Sequence, residues 1–254
     1  ATGNIGEYLS KEKEHINTYL SRDGGFTWKE ILLGPHIYEI GNRGGTIIFC
    51  QNNIYTDYFL YTLDEGLTFT KVYFDSEKSL EMKVINIITS PDNKSNKFII
   101  FGKNKTGGIV IHIDIDNLKL PLCKEFSNIF SSETDFEKWS PTGTYNMFNT
   151  CLLGTKSSYY RKKQFVHCNI NPNFESKIES QVCPCKSEDY ECDLGYSRKG
   201  LSCVRETLDY YLEVDLFSPP SKCKDTYLVT KGYRKVPGNK CKGEELSEFE
   251  PLIM

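Results

Sequence analysis

Short apolar runs separated by polar turns organise the first half of the chain. Runs rich in β-branched and aromatic residues occur at 46–50, 58–61, 98–101 and 109–113, and turns rich in Gly, Asn and Asp separate them. Runs of this length and composition are typical of β-strands. From about residue 119 the runs shorten, cysteine-containing turns dominate, and no helical period lasts longer than a turn or two. The pattern predicts an all-β region over residues 1–118 and a loop-rich region after it.

A repeated motif indicates how the strands of the first half are arranged. Residues 21–28 are SRDGGFTW, residues 62–69 are TLDEGLTF, and Asp23 and Asp64 are 41 positions apart. The same offset aligns residues 5–9 with the run 46–50, so 5–9 is predicted to be a strand as well. A period of about 40 residues built from short strands is typical of β-propeller blades. Since a ring needs at least about four blades, we expect the others to lie upstream or in another chain.

The repeated motif has the form Ser/Thr-x-Asp-x-Gly-x-Thr-Trp/Phe, known as an Asp-box. In such a hairpin the glycine takes a positive φ, the carboxylate accepts turn amides, and the aromatic ring packs between adjacent sheets. A catalytic role for the two aspartates is the alternative, but similar motifs at blade spacing are better explained as turn staples. We predict a structural role for Ser21, Asp23, Gly25, Thr27, Trp28, Thr62, Asp64, Gly66, Thr68 and Phe69.

Charge and motif content narrow the function further. The chain has 31 basic and 34 acidic residues, interspersed, with a net charge of -3, which favours neither nucleic acid nor an anionic membrane as a partner. The four histidines show no repeated spacing, and no hydrolase, metalloprotease or phosphate-loop motif occurs. We therefore expect no catalytic site and no cofactor. No window approaches the ~20 apolar residues of a membrane helix. Since a secreted or membrane-anchored protein loses both of its ends in a fragment, we expect the chain to be a fragment of a longer protein.

Cysteine is the strongest compositional signal. Ten cysteines are present, and eight of them lie from Cys151 to Cys241, a density that predicts a small core held by disulfides in an oxidising compartment. Sequons at Asn93 and Asn104 predict glycosylation on the secretory route. A metal site is the alternative for the thiols, although Cys-x-Cys is not the usual zinc spacing. Its candidate ligands are His167, Cys168, Cys183, Cys185 and Cys192.

Taken together, the Asp-boxes and the cysteine cluster resemble the sortilin family of sorting receptors. The resemblance extends to GNIG at 3–6, GPHIYEIG at 34–41, DFEKW at 135–139, CPC at 183–185, DYECDLGY at 189–196 and GYRKVPGNKC at 232–241. It implies a mainly β fold, with the last blades of a ten-bladed propeller at 1–118. A disulfide-rich module would follow, with one subdomain at 119–180 and another at 181–254.

The resemblance also implies a disulfide pattern. The expected pairs are Cys123 with Cys168, Cys151 with Cys183, Cys185 with Cys241, and Cys192 with Cys203. The family's module has ten cysteines, whereas residues 119–254 hold nine. Cys223 is therefore expected to pair with a cysteine beyond Met254. Cys50 either pairs with an upstream cysteine or stays free and buried.

The function implied by the resemblance is that of a receptor and not an enzyme. The chain would belong to the lumenal part of a type I membrane receptor that directs cargo proteins from Golgi to endosome, vacuole or lysosome-like organelles. Sorting machinery would bind a cytosolic tail outside this chain. The first alternative is a sialidase-like Asp-box glycosidase with a cysteine-rich appendage. The second is a secreted structural propeller without cargo.

Two groups of residues leave alternatives open. His36 and His167 are candidate acid sensors for cargo release, because imidazoles titrate between about pH 5 and 7. The basic groups are Arg161, Lys162 and Lys163, and Lys231, Arg234, Lys235 and Lys240. One interpretation is that they bind acidic cargo or anionic headgroups. The other is that they form a solvated face or ion pairs that lock the module against the propeller.

Overall fold

The fold is mainly β. A computed structural model describes residues 1–10, 12–125, 133–141, 151–174, 176, 179–206, 219–243 and 247–254. Across these ranges, no helix has the length and apolar character needed to cross a membrane. The same ranges contain four short 3-10 helices, Lys13–His15, Asn42–Gly44, Ile115–Leu118 and Ser187–Asp189.

Within the described residues, twenty strands are numbered here in chain order. The first eleven are β1 Thr2–Gly3, β2 Asn17–Leu20, β3 Lys29–Leu32, β4 His36–Gly41, β5 Thr46–Gln51, β6 Tyr55–Thr56, β7 Tyr58–Thr62, β8 Thr70–Tyr73, β9 Met82–Ile88, β10 Lys97–Lys103 and β11 Gly108–Asp114. The others are β12 Phe136–Trp139, β13 Thr155–Lys162, β14 Glu179–Val182, β15 Tyr190–Cys192, β16 Tyr196–Lys199, β17 Ser202–Arg205, β18 Leu228–Val229, β19 Tyr233–Lys235 and β20 Leu252–Ile253.

Three sheets in the first half form propeller blades. The first blade has the strand order β1-β2-β3, the second β4-β5-β7-β8, and the third β11-β10-β9-β6. The pairings with known register are antiparallel throughout, as in meandering sheets joined by tight turns. The second blade is therefore a complete four-stranded meander. In the third, the short β6 joins β9 from outside the meander.

The strands predicted at 46–50, 58–61, 98–101 and 109–113 are confirmed as β5, β7, β10 and β11. The strand predicted at 5–9 is wrong, because this stretch is an exposed loop after β1. The Asn4 side chain donates to the Tyr8 carbonyl and accepts from the Ser10 amide. These local bonds close a turn and use backbone groups that a strand would need for its neighbour.

The main core lies between the second and third blades. It contains Ile48 and Cys50 from β5, Phe98 and Ile100 from β10, and Met82 from β9, each no more than 1% exposed. Alternate residues of a strand point to opposite faces, so each sheet contributes every second side chain to this core. The two blades therefore bury one apolar face of each sheet against the other.

By packing, the chain divides into two compact units. The first comprises Ala1–Trp139 with Tyr160–Lys177, and the second Ser140–Tyr159 with Ile178–Met254. Part of the cysteine-rich region thus packs in the same unit as the blades. A small core there contains Phe136 stacked on Phe174, with ring centroids 4.2 Å apart, beside the disulfide Cys123–Cys168. The module borders predicted at 118 and 180 stay a prediction.

The second unit is held by short hairpins and three disulfides, Cys151–Cys183, Cys185–Cys241 and Cys192–Cys203. With Cys123–Cys168, they are the four pairs that the resemblance implies. An aromatic stack of Tyr190 on Phe249, 5.0 Å between centroids, covers Cys185 and Cys241. All four cysteines of the alternative metal site are therefore in disulfides. Within the described part, no group of three or more His, Cys, Asp or Glu side chains is placed to hold a metal ion.

Two cysteines, Cys50 and Cys223, have free thiols with opposite environments. Cys50 is 1% exposed, and burial raises the pKa of its thiol to about 12. Only about one molecule in ten thousand then carries the Cys50 thiolate at pH 8. Cys223 is partly exposed.

We predict that iodoacetamide at pH 8 adds one label to the folded chain, at Cys223, and two labels after unfolding. The reason is that the thiolate is the reactive species and must also be accessible. Mass spectrometry of tryptic peptides measures both sites. A Cys223→Ser chain, as control, should take no label while folded. Labelling of Cys50 at the rate of Cys223 would contradict this account of the blade core.

Candidate functional site

The two Asp-box hairpins show how each motif residue is used. In the first box the Asp23 carboxylate accepts from the Ser21 hydroxyl and the Thr27 amide, each at 2.8 Å, and from the Thr27 hydroxyl. Hydrogen bonds from Thr27 and Ser21 hold the pKa of this carboxyl below its usual range. Gly25 has φ +94° and follows another left-handed glycine, which lets the turn reverse at no steric cost.

The second box repeats this geometry in a more buried setting. The Asp64 carboxylate accepts from the Thr62 hydroxyl at 2.7 Å, from the Leu67 and Thr68 amides at 3.1 and 2.9 Å, and from the Thr68 hydroxyl. Burial raises the pKa of Asp64, but these hydrogen bonds together outweigh burial and leave the pKa lowered. The carboxylate therefore stays ionised inside the turn.

The aromatic residues of the two boxes differ in exposure. Phe69 packs edge-on against Phe49 with centroids 5.8 Å apart. Trp28 is 51% exposed and donates its indole N–H to the Gly25 carbonyl at 3.0 Å. The Trp28 ring lines a small cavity of about 180 Å³ to which both the first and second blades contribute. Trp28 thus lies at the border of two sheets but is only partly covered.

Lys162, one of the basic residues with two possible roles, contacts the second Asp-box. Lys162 is 3% exposed, and its ammonium donates to the carbonyls of Leu63 and Val166 at 2.7 and 2.6 Å. Burial lowers the pKa of Lys162, and nearby carboxylates, including those of Glu65 and Asp64, oppose this. Since Leu63 belongs to the Asp-box, this buried ammonium joins the strand β13 to the hairpin of the second blade.

Arginines extend this contact to the first box. Arg22 forms an ion pair with Glu65, so the variable positions of the two boxes bind each other. Arg161 donates to the Arg22 carbonyl at 2.5 Å and to the Glu137 carboxylate at 2.7 Å. The Arg161 guanidinium also lies 5.2 Å from the Trp139 ring. We call the residues of this contact the Asp-box junction: Arg22, Leu63, Asp64, Glu65, Glu137, Arg161, Lys162, Val166 and His167.

The sequence allowed two interpretations of the basic cluster at 161–163, a ligand-binding surface or contacts with the propeller. In the structure, Arg161 and Lys162 contact the blades, Arg161 through a hydrogen bond beside its ion pair and Lys162 through a buried ammonium. Sequence reasoning missed the partners of these residues. The positions marked x in the motif, occupied by Arg22, Leu63 and Glu65, carry the contacts, and a motif definition ignores them. The opposite charges of Arg22 in the first box and Glu65 in the second were the available signal.

A second set of contacts was also missed. The Asn42 side chain accepts from the Ile170 amide at 2.9 Å, and the Asn96 side chain joins Thr46 to Asn169 through bonds of 2.9 Å. Asn42 has φ +47°, a left-handed conformation that asparagine tolerates better than most residues. The segment that carries Cys168 is therefore tied to the second and third blades by buried amides.

The candidate acid sensors have different surroundings. His36 is 6% exposed, and its Nδ1 lies 3.0 Å from the Gly34 carbonyl and 3.1 Å from the Thr18 hydroxyl. Burial lowers the pKa of His36, and the bond to Gly34 only partly opposes this. His167 is half-exposed, with Nε2 3.6 Å from the Asp64 carboxylate. Thr18 belongs to the first blade, so His36 lies at the border of the first two blades.

The other candidates lie on surfaces. Arg234 of the second basic group forms an exposed ion pair with Glu191 at 2.9 Å, and Lys231 donates to the Ser247 carbonyl. Asn93 is exposed in a turn, and Asn104 accepts from the Thr106 and Gly107 amides with its side-chain oxygen. Glycosylation of Asn93 and Asn104 stays a prediction.

We predict that Lys162→Met destabilises the chain by about 1–3 kcal/mol, because the partly buried carbonyls of Leu63 and Val166 lose their donor. Lys29→Met, which removes an exposed lysine of β3, is the matched control and should change stability by less than about 0.5 kcal/mol. Urea unfolding monitored by tryptophan fluorescence measures both. Equal stability of the two variants would show that the Lys162 contacts are not net stabilising.

Comparisons with known proteins agree with this architecture. A family model described as "Sortilin, neurotensin receptor 3, C-terminal" matches residues 89–252, and one described as "Sortilin, neurotensin receptor 3" matches residues 1–87. The chain is 32% identical over 252 residues to vacuolar protein sorting/targeting protein 10 of Neurospora crassa, covering 95% of this chain and 15% of that protein. It is 33% identical over 253 residues to the human sortilin-related receptor, covering 97% of this chain and 11% of that protein.

A third relative is the vacuolar protein sorting/targeting protein 10 of Debaryomyces hansenii, 34% identical over 255 residues, with 96% of this chain and 15% of that protein covered. The chain thus spans no more than 15% of the length of these three relatives. Both halves of the chain, the blades and the disulfide-bonded region, match models of one family. The chain therefore belongs to the sortilin family of receptors.

Proposed function

We propose that this chain is part of the lumenal region of a sorting receptor, which recognises cargo proteins and directs them from Golgi to endosome, vacuole or lysosome-like organelles. The observation that carries the proposal is the match of both halves to sortilin models, together with relatives named for vacuolar sorting. Four disulfides support an oxidising, lumenal environment for the chain. A membrane anchor and a tail that binds sorting machinery would belong to the longer receptor.

A binding role without catalysis fits the chemistry of the Asp-boxes. A glycosidase needs two carboxyl groups that face the substrate, one as acid and one as base or nucleophile. Asp23 and Asp64 instead accept hydrogen bonds from the residues of their own turns. Hydrolysis of a fluorogenic sialoside by the purified chain would favour the glycosidase alternative over the receptor.

A chimaeric receptor tests the proposed function. The matched 252 residues of the Neurospora crassa relative are replaced by this chain, and the chimaera is expressed in a strain that lacks that receptor. We expect the chimaera to retain vacuolar proteins inside the cell, because this part of the chain supplies the same role in both proteins. Immunoblots of vacuolar proteins in medium and cells measure retention.

The matched control is the same receptor with the 252 residues deleted. Cells that carry this deletion should secrete the vacuolar proteins. Secretion by a chimaera that is stable and reaches the Golgi would contradict the proposed role. Retention by both the chimaera and the deletion would show that the segment is dispensable for sorting.

We further propose that acid weakens the border between the first and second blades through His36. The pKa of His36 is lowered in the folded chain. The stability of the fold therefore does not change with the protonation of His36 above the pKa of the unfolded chain, about 6.5. As the pH falls below that value, the unfolded chain takes up a proton that the folded chain resists, so stability is lost. The carboxyls of Asp23 and Asp64, whose pKa values are also lowered, stabilise the fold above about pH 4 and lose this effect only below it.

We predict that His36→Gln reduces the fall in melting temperature between pH 7.5 and 5.5, because glutamine does not take up the proton that the folded chain resists at His36. His112→Gln, which replaces an exposed imidazole of β11, is the control and should keep the full pH dependence. Differential scanning fluorimetry at both pH values measures this.

The same residues test acid release of cargo. In the chimaeric receptor, alanine at both His36 and His167 is expected to leave cargo bound at pH 5.5. Release that is unchanged in the double variant would rule out this role for both histidines.

A further inference from the structure

A groove in the second unit runs along the strand β19. The groove has a volume of about 350 Å³, and all three residues of β19, Tyr233, Arg234 and Lys235, line it. Since alternate side chains of a strand point to opposite faces, three consecutive residues line one groove when that groove follows the edge of the strand. Within the described residues β19 pairs only with β15. Its second edge is therefore open along the groove.

The register of the β15–β19 pair shows which backbone groups the open edge presents. The Val236 amide donates to the Asp189 carbonyl at 2.9 Å, one pair beyond Lys235 and Tyr190. Hydrogen-bonded and non-bonded pairs alternate along an antiparallel ladder. Lys235 and, two residues before it, Tyr233 are thus in non-bonded pairs. Their amides and carbonyls point away from β15, to the open edge, where a further strand can bind them.

The floor of the groove is aromatic and held in place. The Phe249 ring stacks on Tyr190 with centroids 5.0 Å apart and meets the Tyr233 ring edge-on at 4.7 Å. The Tyr190 hydroxyl donates to the Glu250 carboxylate at 2.7 Å, and the Tyr233 hydroxyl accepts from the Cys203 amide at 3.2 Å. Rings fixed in this way lose little further side-chain entropy when a ligand packs on them. The floor is therefore preorganised for an apolar side chain.

Two exposed apolar side chains adjoin the groove. Leu228 of β18 lines it and is 67% exposed, and Ile253 of β20, directly opposite Leu228, is 74% exposed. Residues directly opposite in an antiparallel pair share a face. The groove thus continues into an uncovered apolar surface, which is a common feature of protein-interaction sites.

The charged groups that line the groove are not equivalent. The carboxylates of Asp193 and Glu250 and the guanidinium of Arg234 each have a partner within the chain. The Lys235 ammonium lies 5.7 Å from the centre of the Tyr190 ring and makes no ion pair among the described residues. An ammonium without a carboxylate beside an apolar floor favours a ligand that carries an acidic group next to an apolar one.

We propose that the open edge of β19 and this groove bind an extended segment of a partner protein as an added antiparallel strand. Partner residues directly opposite Lys235 and Tyr233 then face the floor, and the residue between them faces away. An acidic side chain fits opposite Lys235, and an apolar side chain fits opposite Tyr233. Because the added strand runs antiparallel, the partner sequence reads acidic-x-apolar. In strand addition the main chain supplies affinity and the alternate side chains supply specificity. This surface lies outside the blades, and its binding does not depend on which cargo is sorted.

A fluorescein-labelled peptide of sequence STETFTS tests the strand addition with the full chain, and fluorescence anisotropy measures its affinity. A methyl group on the phenylalanine nitrogen, which faces β19 in this register, should weaken binding at least about 10-fold, because it removes a main-chain hydrogen bond and blocks the edge. The control is a methyl group on the threonine nitrogen between glutamate and phenylalanine. This nitrogen faces away from β19, so the affinity should change less than about 3-fold. No saturable binding up to about 1 mM chain, or equal effects of the two methyl groups, would overturn the proposal.

A charge exchange tests the position of Lys235. Lys235→Glu should weaken binding of STETFTS at least about 5-fold, and it should strengthen by a similar factor the binding of STKTFTS, in which lysine replaces glutamate. A variant that merely failed to fold would not gain affinity for the second peptide. Lys199→Glu, which reverses an exposed charge of β16, is the matched control and should alter neither affinity more than about 2-fold. Unchanged affinities of both peptides for the Lys235→Glu chain would contradict the proposed register.

Sedimentation of the chain alone distinguishes a peptide segment from a second copy as the occupant. We expect the Lys235→Glu chain and the unaltered chain to sediment alike. Dimerisation of the unaltered chain that Lys235→Glu abolishes, without binding of STETFTS, would assign the edge to a second copy and overturn the proposal.

Discussion

The buried carboxylate of Asp64 is the constraint on which the first unit depends. It accepts four hydrogen bonds from its own turn, which fixes the hairpin between β7 and β8. Because the turn is fixed, the Leu63 carbonyl and Glu65 carboxylate point to defined partners, Lys162 and Arg22. A carboxylate held in this way keeps its turn rigid and so supports the neighbouring contacts. The motif therefore links blade geometry to the attachment of the cysteine-rich segment.

Local features of this fold could be predicted from sequence because they are set by short-range physics. The strands at 46–50 and 98–101 follow from β-branched and aromatic runs, and the blades follow from the repeat of Asp23 at Asp64. The sortilin assignment rests on motifs spread over both halves, and the family comparisons confirm it. The repeat offset of 41 residues wrongly predicted a strand at 5–9. A repeat aligns positions but does not show that the Asn4 side chain closes a local turn there.

Contacts between distant segments could not be predicted in the same way. Lys162 lies 99 positions from Leu63, and Ile170 lies 128 positions from Asn42. Nothing in the local sequence distinguishes a buried lysine that binds two carbonyls from one in a solvated basic cluster. The difference arises when tertiary packing removes water from the ammonium. Likewise, the alternating apolar residues of β10 and β11 predict a strand but not which face a neighbour covers.

The first unit contains residues whose contacts are complete within this chain and apolar residues that are left exposed. The Asp-box junction and the asparagine contacts are satisfied within this chain, and Cys123–Cys168 ties the segment that carries Ile170 covalently to the end of the blades. By contrast, Ile85, Ile88, Ile99 and Val110 on one face of the third blade are 37–71% exposed. Each blade in a propeller is stabilised by the neighbour that packs against it, and the third blade packs one of its faces against the second. The segment that carries Cys168 and Ile170 is therefore attached to the blades by contacts within this chain, whereas the third blade buries mainly the face that it shares with the second.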